Sequence, residues 1–357
     1  MYAVIMAGGV GTRFWPRSRR RRPKQLLPIS STSSMIRLTV DRLKPLLQDD
    51  QILVVTGVEQ ADAIREELPE IPADNILVEP VGRNTAPCIG LAAHVLRARG
   101  AGDETMVVLA ADHVILQVEE FRSVLDACDH LLRQEDRLVT LGIKPHRPET
   151  GYGYIRKGAT AVTIGGRPFH EVERFVEKPD AQTAEGLCAD GQHLWNSGMF
   201  LWRVDRICRE ITHHLPEIAA GLQRIESAWG TPERQSRLES EYEAFQAISI
   251  DYGVMERASQ VIVLEVDFGW SDVGSWASLT ELRQADATGN VLPQDALALD
   301  ASHNIVEVEG RTVVLLGVEN LIVVEEGDAL LICHRDRAQQ VGRIPEKLRE
   351  MGKVSLT

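Results

Sequence analysis

Directly after a short apolar run at residues 2–6, the chain reads Ala7-Gly8-Gly9-Val10-Gly11-Thr12-Arg13 and continues irregularly to Pro23-Lys24-Gln25-Leu26-Leu27. Glycines behind a buried strand let the backbone close on a ligand, and consecutive amides in a tight loop make an anion-binding concavity. The spacing matches neither a Walker A loop, which needs a Lys-Ser/Thr pair, nor a dinucleotide fingerprint, because Phe14 stands where the third glycine belongs. A long glycine loop flanked by Arg13 and Lys24 suits a polyphosphate clamp, with amides on phosphate oxygens and the two cations neutralising charge.

Two carboxylates lie where such a clamp needs them. Asp112 follows the apolar run 106–110, and Asp272 lies in a glycine-containing loop after the run 261–266, with Asp267 as a nearby competitor. Brought together they can hold Mg²⁺, which favours one or two carboxylates plus phosphate oxygens. His113 reads as structural, since a phosphate nucleophile needs no general base. Thr85 reads as the cap of a helix with Pro87 in its first turn. Tyr152 and Trp195 read as packing residues.

Regional charge is uneven. The 357 residues carry 39 Lys+Arg and 52 Asp+Glu, a formal net charge of −13, yet residues 1–40 hold eight basic side chains and no acidic one. That balance disfavours nucleic-acid binding and favours a local anion site; the run Arg19–Arg22 reads as solvated. Five scattered cysteines predict free thiols rather than disulfides or a zinc ribbon. No apolar run approaches the roughly 20 residues that span a bilayer, and the N-terminus lacks signal-peptide features, so no membrane association and a cytoplasmic location are expected.

The elements that must position these residues alternate. Runs at 2–6, 52–56, 106–110 and 138–142 read as buried strands, with amphipathic stretches near 34–47, 59–68, 86–99 and 119–134 between them. That pattern predicts an α/β doubly wound sheet with ligands at the carboxyl ends of its strands. Strands are also expected at 170–176, 198–202 and 261–266, and helices at 204–213 and 231–247. Over 303–333, brief apolar runs recur every eight to ten residues, predicting a β-solenoid-like unit, and 344–351 reads as helical. The expected division is 1–285 for the main unit and 286–357 for the β-rung unit.

AGGVGTRFWPRSR with the following PKQLL resembles the signature of sugar-1-phosphate nucleotidyltransferases, and Phe14-Trp15-Pro16-x-Ser18-Arg19 resembles the mannose-1-phosphate guanylyltransferase branch. Further motifs occur in that family's order: Gly82–Pro87, Ala111-Asp112-His113, Gly151–Ile155, Phe175–Pro179, Trp195–Phe200, Ser249–Tyr252 and Trp270–Trp276. The resemblance covers residues 3 to about 276. It implies a Rossmann-like domain with a mixed, mostly parallel sheet and a C-terminal left-handed β-helix-like unit. It implies that GTP and mannose 1-phosphate give GDP-mannose and pyrophosphate, with Mg²⁺ on Asp112 and Asp272.

In residue terms, the resemblance puts the nucleotide on Ala7, Gly8, Gly9, Gly11 and Thr12. The base lies near Glu79, Asn84 and Thr85, with Glu79, Asn84 and backbone carbonyls all open as guanine acceptors. The sugar falls to Gly153, Glu177 and Asn196, and its phosphate to Lys178; Arg13, Lys24, Asp112, Lys178 and Asp272 are the expected catalytic set. A homodimer is implied. The chain stops short of the isomerase domain that longer relatives carry, and a missing proline before Ala111 is expected to loosen the Asp112 loop. Another sugar 1-phosphate or nucleotide, or a catalytically silent sugar-nucleotide sensor, remains the alternative.

Overall fold

A computed structural model describes residues 1–357. Nine strands form the main sheet: β1 (Tyr2–Met6), β2 (Ile52–Gly57), β3 (Ile76–Glu79), β4 (Thr105–Ala110), β6 (Leu138–Ile143), β7 (Tyr154–Ile164), β8 (Arg167–Val176), β9 (His193–Arg203) and β10 (Val261–Val266). A separate ribbon pairs β5 (Val114–Ile115) with β11 (Trp270–Ser271). The sheet order is β3-β2-β1-β4-β9-β6-β10-β8-β7. β1 is parallel to β2 and β4, and β10 to β6, whereas β9 runs antiparallel to β4 and β6, and β8 antiparallel to β10 and β7. The expected doubly wound sheet is therefore mixed: β8 and β9 reverse an otherwise parallel set.

Alternation along β1 explains its all-apolar sequence. Ala3 and Ile5 pack on one face with α1 (Met35–Asp41), α2 (Ala61–Glu67) and α4 (Val118–Leu132). Val4 packs on the other with α3 (Thr85–Ala98), α6 (Val204–His214) and α7 (Pro216–Ala228). Both faces are covered, and each buried aliphatic side chain contributes about 1.5–3 kcal/mol. The helix expected over 34–47 ends at Asp41, and turns continue through Lys44-Pro45, where a proline cannot extend a helix. β7 and β8 form a hairpin whose first strand was not expected; Gly165 and Gly166, both at positive φ, supply its two-residue turn. Two further helices complete this unit, α5 (Ala181–Ala189) and α8 (Arg234–Ala244), before the short α9 (Leu279–Leu282).

The C-terminal rungs are β12 (Leu297–Leu299), β13 (Ile305–Glu307), β14 (Val314–Leu316), β15 (Leu321–Glu326) and β16 (Ala329–His334), followed by a 3₁₀ segment and α10 (Ile344–Glu350). β12 pairs parallel with β14 and β13 with β15, as successive coils of a solenoid do. The last turn departs from that pattern, because β15 and β16 close as an antiparallel hairpin. One core joins this unit to the main one: Phe14, Trp15, Val114, Val273 and Trp276 pack with Ile305, Ile322, Val324 and Val341.

Within the run Arg19–Arg22, Arg20, Arg21 and Arg22 are exposed as expected, but most of the run and the neighbouring Arg17 also meet carboxylates. Arg17 pairs with Glu307 at 3.1 Å and Glu309 at 3.3 Å, Arg19 with Asp328 at 2.7 Å, and Arg22 with Glu326 at 3.2 Å. Arg20 reaches Glu59. The anions matched to much of the basic N-terminal segment are thus this chain's own carboxylates on the β-rung unit. All five cysteines are free, as expected.

Candidate active site

The glycine loop leaves the end of β1 as an extension of the sheet. Ala7 donates its N–H to Val55 and its carbonyl accepts from Gln25 and Thr56, so its own backbone has no group left for a ligand. By contrast, the N–H groups of Gly8, Gly9, Val10 and Gly11 have no intramolecular acceptor. Gly9 and Gly11 adopt φ of 85° and 67°, a left-handed backbone of the kind from which anion-binding nests are built. At Gly11 a Cβ would stand 2.3 Å from Lys24 Cβ, so no larger residue fits without moving the lysine.

Lys24 does not point at this loop. Its ammonium is 2.9 Å from Asp112 Oδ2 and donates to the Asp112 and Asp272 carbonyls at 3.1 and 2.7 Å, with only 5% of the residue exposed. Lys24 therefore knits the two aspartate segments together. The exposed Arg13 remains as the loop's uncommitted cation beside the same cavity.

The β5–β11 ribbon brings Asp112 and Asp272 to one place. Ser271 lies opposite Val114, and Trp270 opposite Ile115, directly beside the two aspartates. Ala111 N–H bonds Met6, so the loop expected to be loose is held at both ends. Burial alone would push the Asp112 carboxyl up, but the Lys24 ammonium and the neighbouring histidine outweigh it and hold the value below the ordinary carboxylate range. Tyr152 packs edge-on against Trp195 and Trp270, as expected, and in addition donates its hydroxyl to Asp272 Oδ1. His113 accepts at Nδ1 from the Trp270 indole at 3.2 Å, which fits its expected structural part. Val273, β-branched, sits at φ 46°, strain that is uncommon outside functional loops.

At the base end, Glu79 terminates β3. Tyr242 donates its hydroxyl to Glu79 Oε1, and Glu79 Oε2 faces Gly8. Burial raises the Glu79 carboxyl to about 7, although the tyrosine hydrogen bond opposes the shift. Asn84, at φ 67°, caps α3 by accepting from the Thr85 N–H at 2.8 Å. Thr85 is thus the first helical residue rather than the cap, and its hydroxyl accepts the Ile250 N–H.

At the sugar end, Glu177 and Lys178 pair at 2.9 Å just past β8, and Lys178 holds φ 44° with 61% of its side chain exposed. A Cβ on Gly153 would meet Glu177 Oε2 at 2.4 Å, so Gly153 admits the carboxylate. Asn196 was expected before a strand but lies inside β9, at the irregularity where β6 shifts register between Thr140 and Gly142. Such bulges re-aim side chains beside active sites.

Two cavities line up. One of 280 Å³ is bounded by Gly11, Thr12, Arg13, Lys24 and Asp112; the other, of 250 Å³, by Gly153, Glu177, Lys178 and Asn196. His113 and Asp272 border both, so a single groove runs from the glycine loop past the aspartates to the Glu177 cluster. A larger cavity of 590 Å³ lies elsewhere, around His214, Phe245 and Arg257.

A family model described as nucleotidyl transferase matches residues 2–289, and a second, MannoseP isomerase/GMP-like beta-helix domain, matches 294–348. The chain belongs to the nucleotidyl transferase family. It is 39% identical over 360 residues to a mannose-1-phosphate guanylyltransferase of Escherichia coli K12, covering 99% of this chain and 74% of that protein. It is 40% identical over 360 residues to the xanthan biosynthesis protein XanB of Xanthomonas campestris pv. campestris strain B100, with the same coverage. A crystal structure described as a mannose-1-phosphate geranyltransferase from Thermus thermophilus superposes with a TM-score of 0.86 at 35% identity, over 98% of this chain and 99% of the other. As a member of the family, the chain carries the α/β sheet and β-helix-like unit that its motifs implied. The sequence reading missed the Tyr152 hydrogen bond to Asp272, the Tyr242 hydrogen bond to Glu79 and the pairing of Asp251 with Asn196. Only their place in the motif-like stretches Gly151–Ile155 and Ser249–Tyr252 marked Tyr152 and Asp251, and nothing local marked Tyr242.

Proposed function

We propose that this protein is a mannose-1-phosphate guanylyltransferase, converting GTP and mannose 1-phosphate to GDP-mannose and pyrophosphate. The observation that carries the reading is the continuous groove, with unpaired amides at one end, acceptors for sugar hydroxyls at the other and two carboxylates between. The names of the full-length relatives supply the sugar and the nucleotide.

In this reading the Gly8–Gly11 amides and Arg13 hold the β- and γ-phosphates, with Thr12 beside them, while Glu79 and Asn84 face guanine, whose N1–H and N2–H₂ groups need acceptors. Thr85 supports that end by fixing its neighbour. Glu177 takes sugar hydroxyls in the pocket that Gly153 leaves open, and Lys178 orients the sugar phosphate. An oxygen of that phosphate attacks the α-phosphorus; its new P–O bond forms as the bond to the β-phosphate bridging oxygen breaks, and pyrophosphate leaves. No covalent enzyme intermediate is needed. Lys24 holds the carboxylates in place.

The donor set fits a hard divalent ion: Asp112 Oδ1 and Asp272 Oδ2 accept no hydrogen bond, and two carboxylates suffice for Mg²⁺ when phosphates complete its shell. Bound there, Mg²⁺ would neutralise charge on the reacting phosphates. The same reading places catalysis in residues 1–285, assigns 286–357 to assembly, and sets the enzyme in the cytoplasm. Exposed Leu297, Leu299, Val314 and Leu316 on the β12–β14 pair give the homodimer an apolar contact face. No helix is long and apolar enough to cross a membrane.

Pyrophosphate release tests the proposal, measured with each of four NTPs against mannose, glucose and fucose 1-phosphates. GTP with mannose 1-phosphate is expected to give the highest kcat/KM. A clear preference for another pair would replace the substrate, and absence of release with every pair would leave a binding protein.

A further inference from the structure

The stretch Ser249–Tyr252, so far met only through the Ile250 bond to Thr85, ties the two ends of the groove together. On one side, the Ala86 N–H donates to the Ile248 carbonyl at 3.0 Å, the Ile248 N–H to the Arg83 carbonyl at 3.2 Å, and the Ile250 N–H to Thr85 Oγ1 at 2.8 Å. These bonds lock it to the start of α3, at the base end. Ile250 is buried in the core beneath. On the other side, Asp251 Oδ1 accepts from Asn196 Nδ2 at 2.7 Å, and Asp251 borders the sugar-end cavity with Glu177 and Lys178.

A carboxylate only accepts, so the Asn196 atom facing Asp251 must be the amide nitrogen. The opposite atom, Oδ1, accepts from the Gly198 N–H at 3.1 Å. Those two bonds together leave the amide one orientation. It keeps one N–H and one lone pair free, a fixed donor and a fixed acceptor at the register shift of a central strand. A free amide can exchange these roles by flipping and would read a hydroxyl pattern poorly.

We propose that Asp251 is a positioning residue for sugar recognition, acting through the orientation of Asn196. The inference rests on the reading that this groove holds a hexose 1-phosphate. Burial and the nearby Glu177 charge raise the Asp251 carboxyl above its ordinary value, as expected for an acid set against another in a closed corner.

Two substitutions separate positioning from bulk. Asp251→Leu keeps much of the shape and removes the acceptor; Asp251→Asn restores an acceptor oxygen without the charge. With one hydrogen-bonded orientation lost, Asp251→Leu is expected to raise KM for the sugar phosphate about tenfold and to cut mannose-over-glucose selectivity by a similar factor. KM for GTP should stay within about twofold, and Asp251→Asn should recover most of the loss. An unchanged sugar KM overturns the proposal, as does a parallel shift of both KM values or an Asn variant no better than Leu. Should the wild-type enzyme prefer another sugar phosphate, the substrate assignment fails while the same split, measured with that sugar, still decides the role of Asp251. If no turnover is found, calorimetric affinity for mannose 1-phosphate decides: an affinity equal in wild type and Asp251→Leu refutes it, and an affinity weakened by the substitution supports it.

Discussion

Residue types set the chemistry, and their neighbours set its sign. Asp112 and Asp272 are the two carboxylates facing the groove between its ends, so Asp112→Asn or Asp272→Asn should lower kcat by about 10³-fold; thermal unfolding should stay near that of the wild type for Asp272→Asn, whereas Asp112→Asn, which takes the counter-charge from buried Lys24, should also lower Tm. A near-normal rate would remove that residue from the mechanism. Tyr152→Phe takes the hydroxyl off Asp272 and should cost about tenfold in kcat without a change in stability.

Glu79 gives a pH signature. Its folded value of about 7 lies above the ordinary 4.5, so over that interval the folded chain keeps a proton that the unfolded chain has lost. Stability therefore falls as pH rises from about 4.5 through about 7, by at most about 3 kcal/mol. In the proposed reading the ionised Glu79 is the stronger acceptor for guanine, so KM for GTP should fall as pH rises from 6 to 8, and Glu79→Gln should flatten that trend relative to wild type. Motif matching made Asp112, Asp272, Glu177 and Asn196 legible in the sequence. It missed Tyr242 because a tyrosine in the last turn of a charged helix carries no signal of the carboxylate it meets 163 positions away.

At the level of elements, long buried strands could be read and short joining pieces could not. β1, β2, β4, β6 and β10 each present five or six mostly apolar residues, and their positions follow from that. The β5–β11 ribbon, two residues on each side, has no periodicity to detect, yet it sets Asp112 beside Asp272. β9 was half seen because the polar Asn196-Ser197-Gly198 interrupts it where the register shifts. The glycine loop depends on backbone geometry: Gly11→Ala puts a methyl on Lys24 at a positive φ and should cost about 2 kcal/mol or more. Its loss should appear as a lower Tm and a raised KM for GTP together, since the displaced lysine and the phosphate amides share that loop.

Across the whole molecule, the basic N-terminal segment and the acidic β-rung unit are two halves of one contact. Composition showed the imbalance, but charge counts cannot say whether the matching anions belong to a ligand or to the same chain. Arg17 and Glu307, at 10% and 6% side-chain exposure, form the buried centre of this contact, and Arg283 joins them. Glu307→Ala removes the most buried carboxylate from Arg17, which keeps Glu309 and Glu326, and should lower stability by about 2 kcal/mol, read as a shift in the denaturation midpoint; a surface pair would barely move it. Trp15 donates its indole N–H to the Leu356 carbonyl, and the 335–343 segment packs on Thr12 and Arg13, so the rungs also brace the glycine loop.

The most direct measurement is a crystal structure of the protein with GTP. The triphosphate should accept hydrogen bonds from the Gly8–Gly11 amides, with the base against Glu79 and the α-phosphate beside Asp112 and Asp272. GTP seated in the 590 Å³ cavity around Phe245 and Arg257 instead, with those amides still unpaired, would contradict the account.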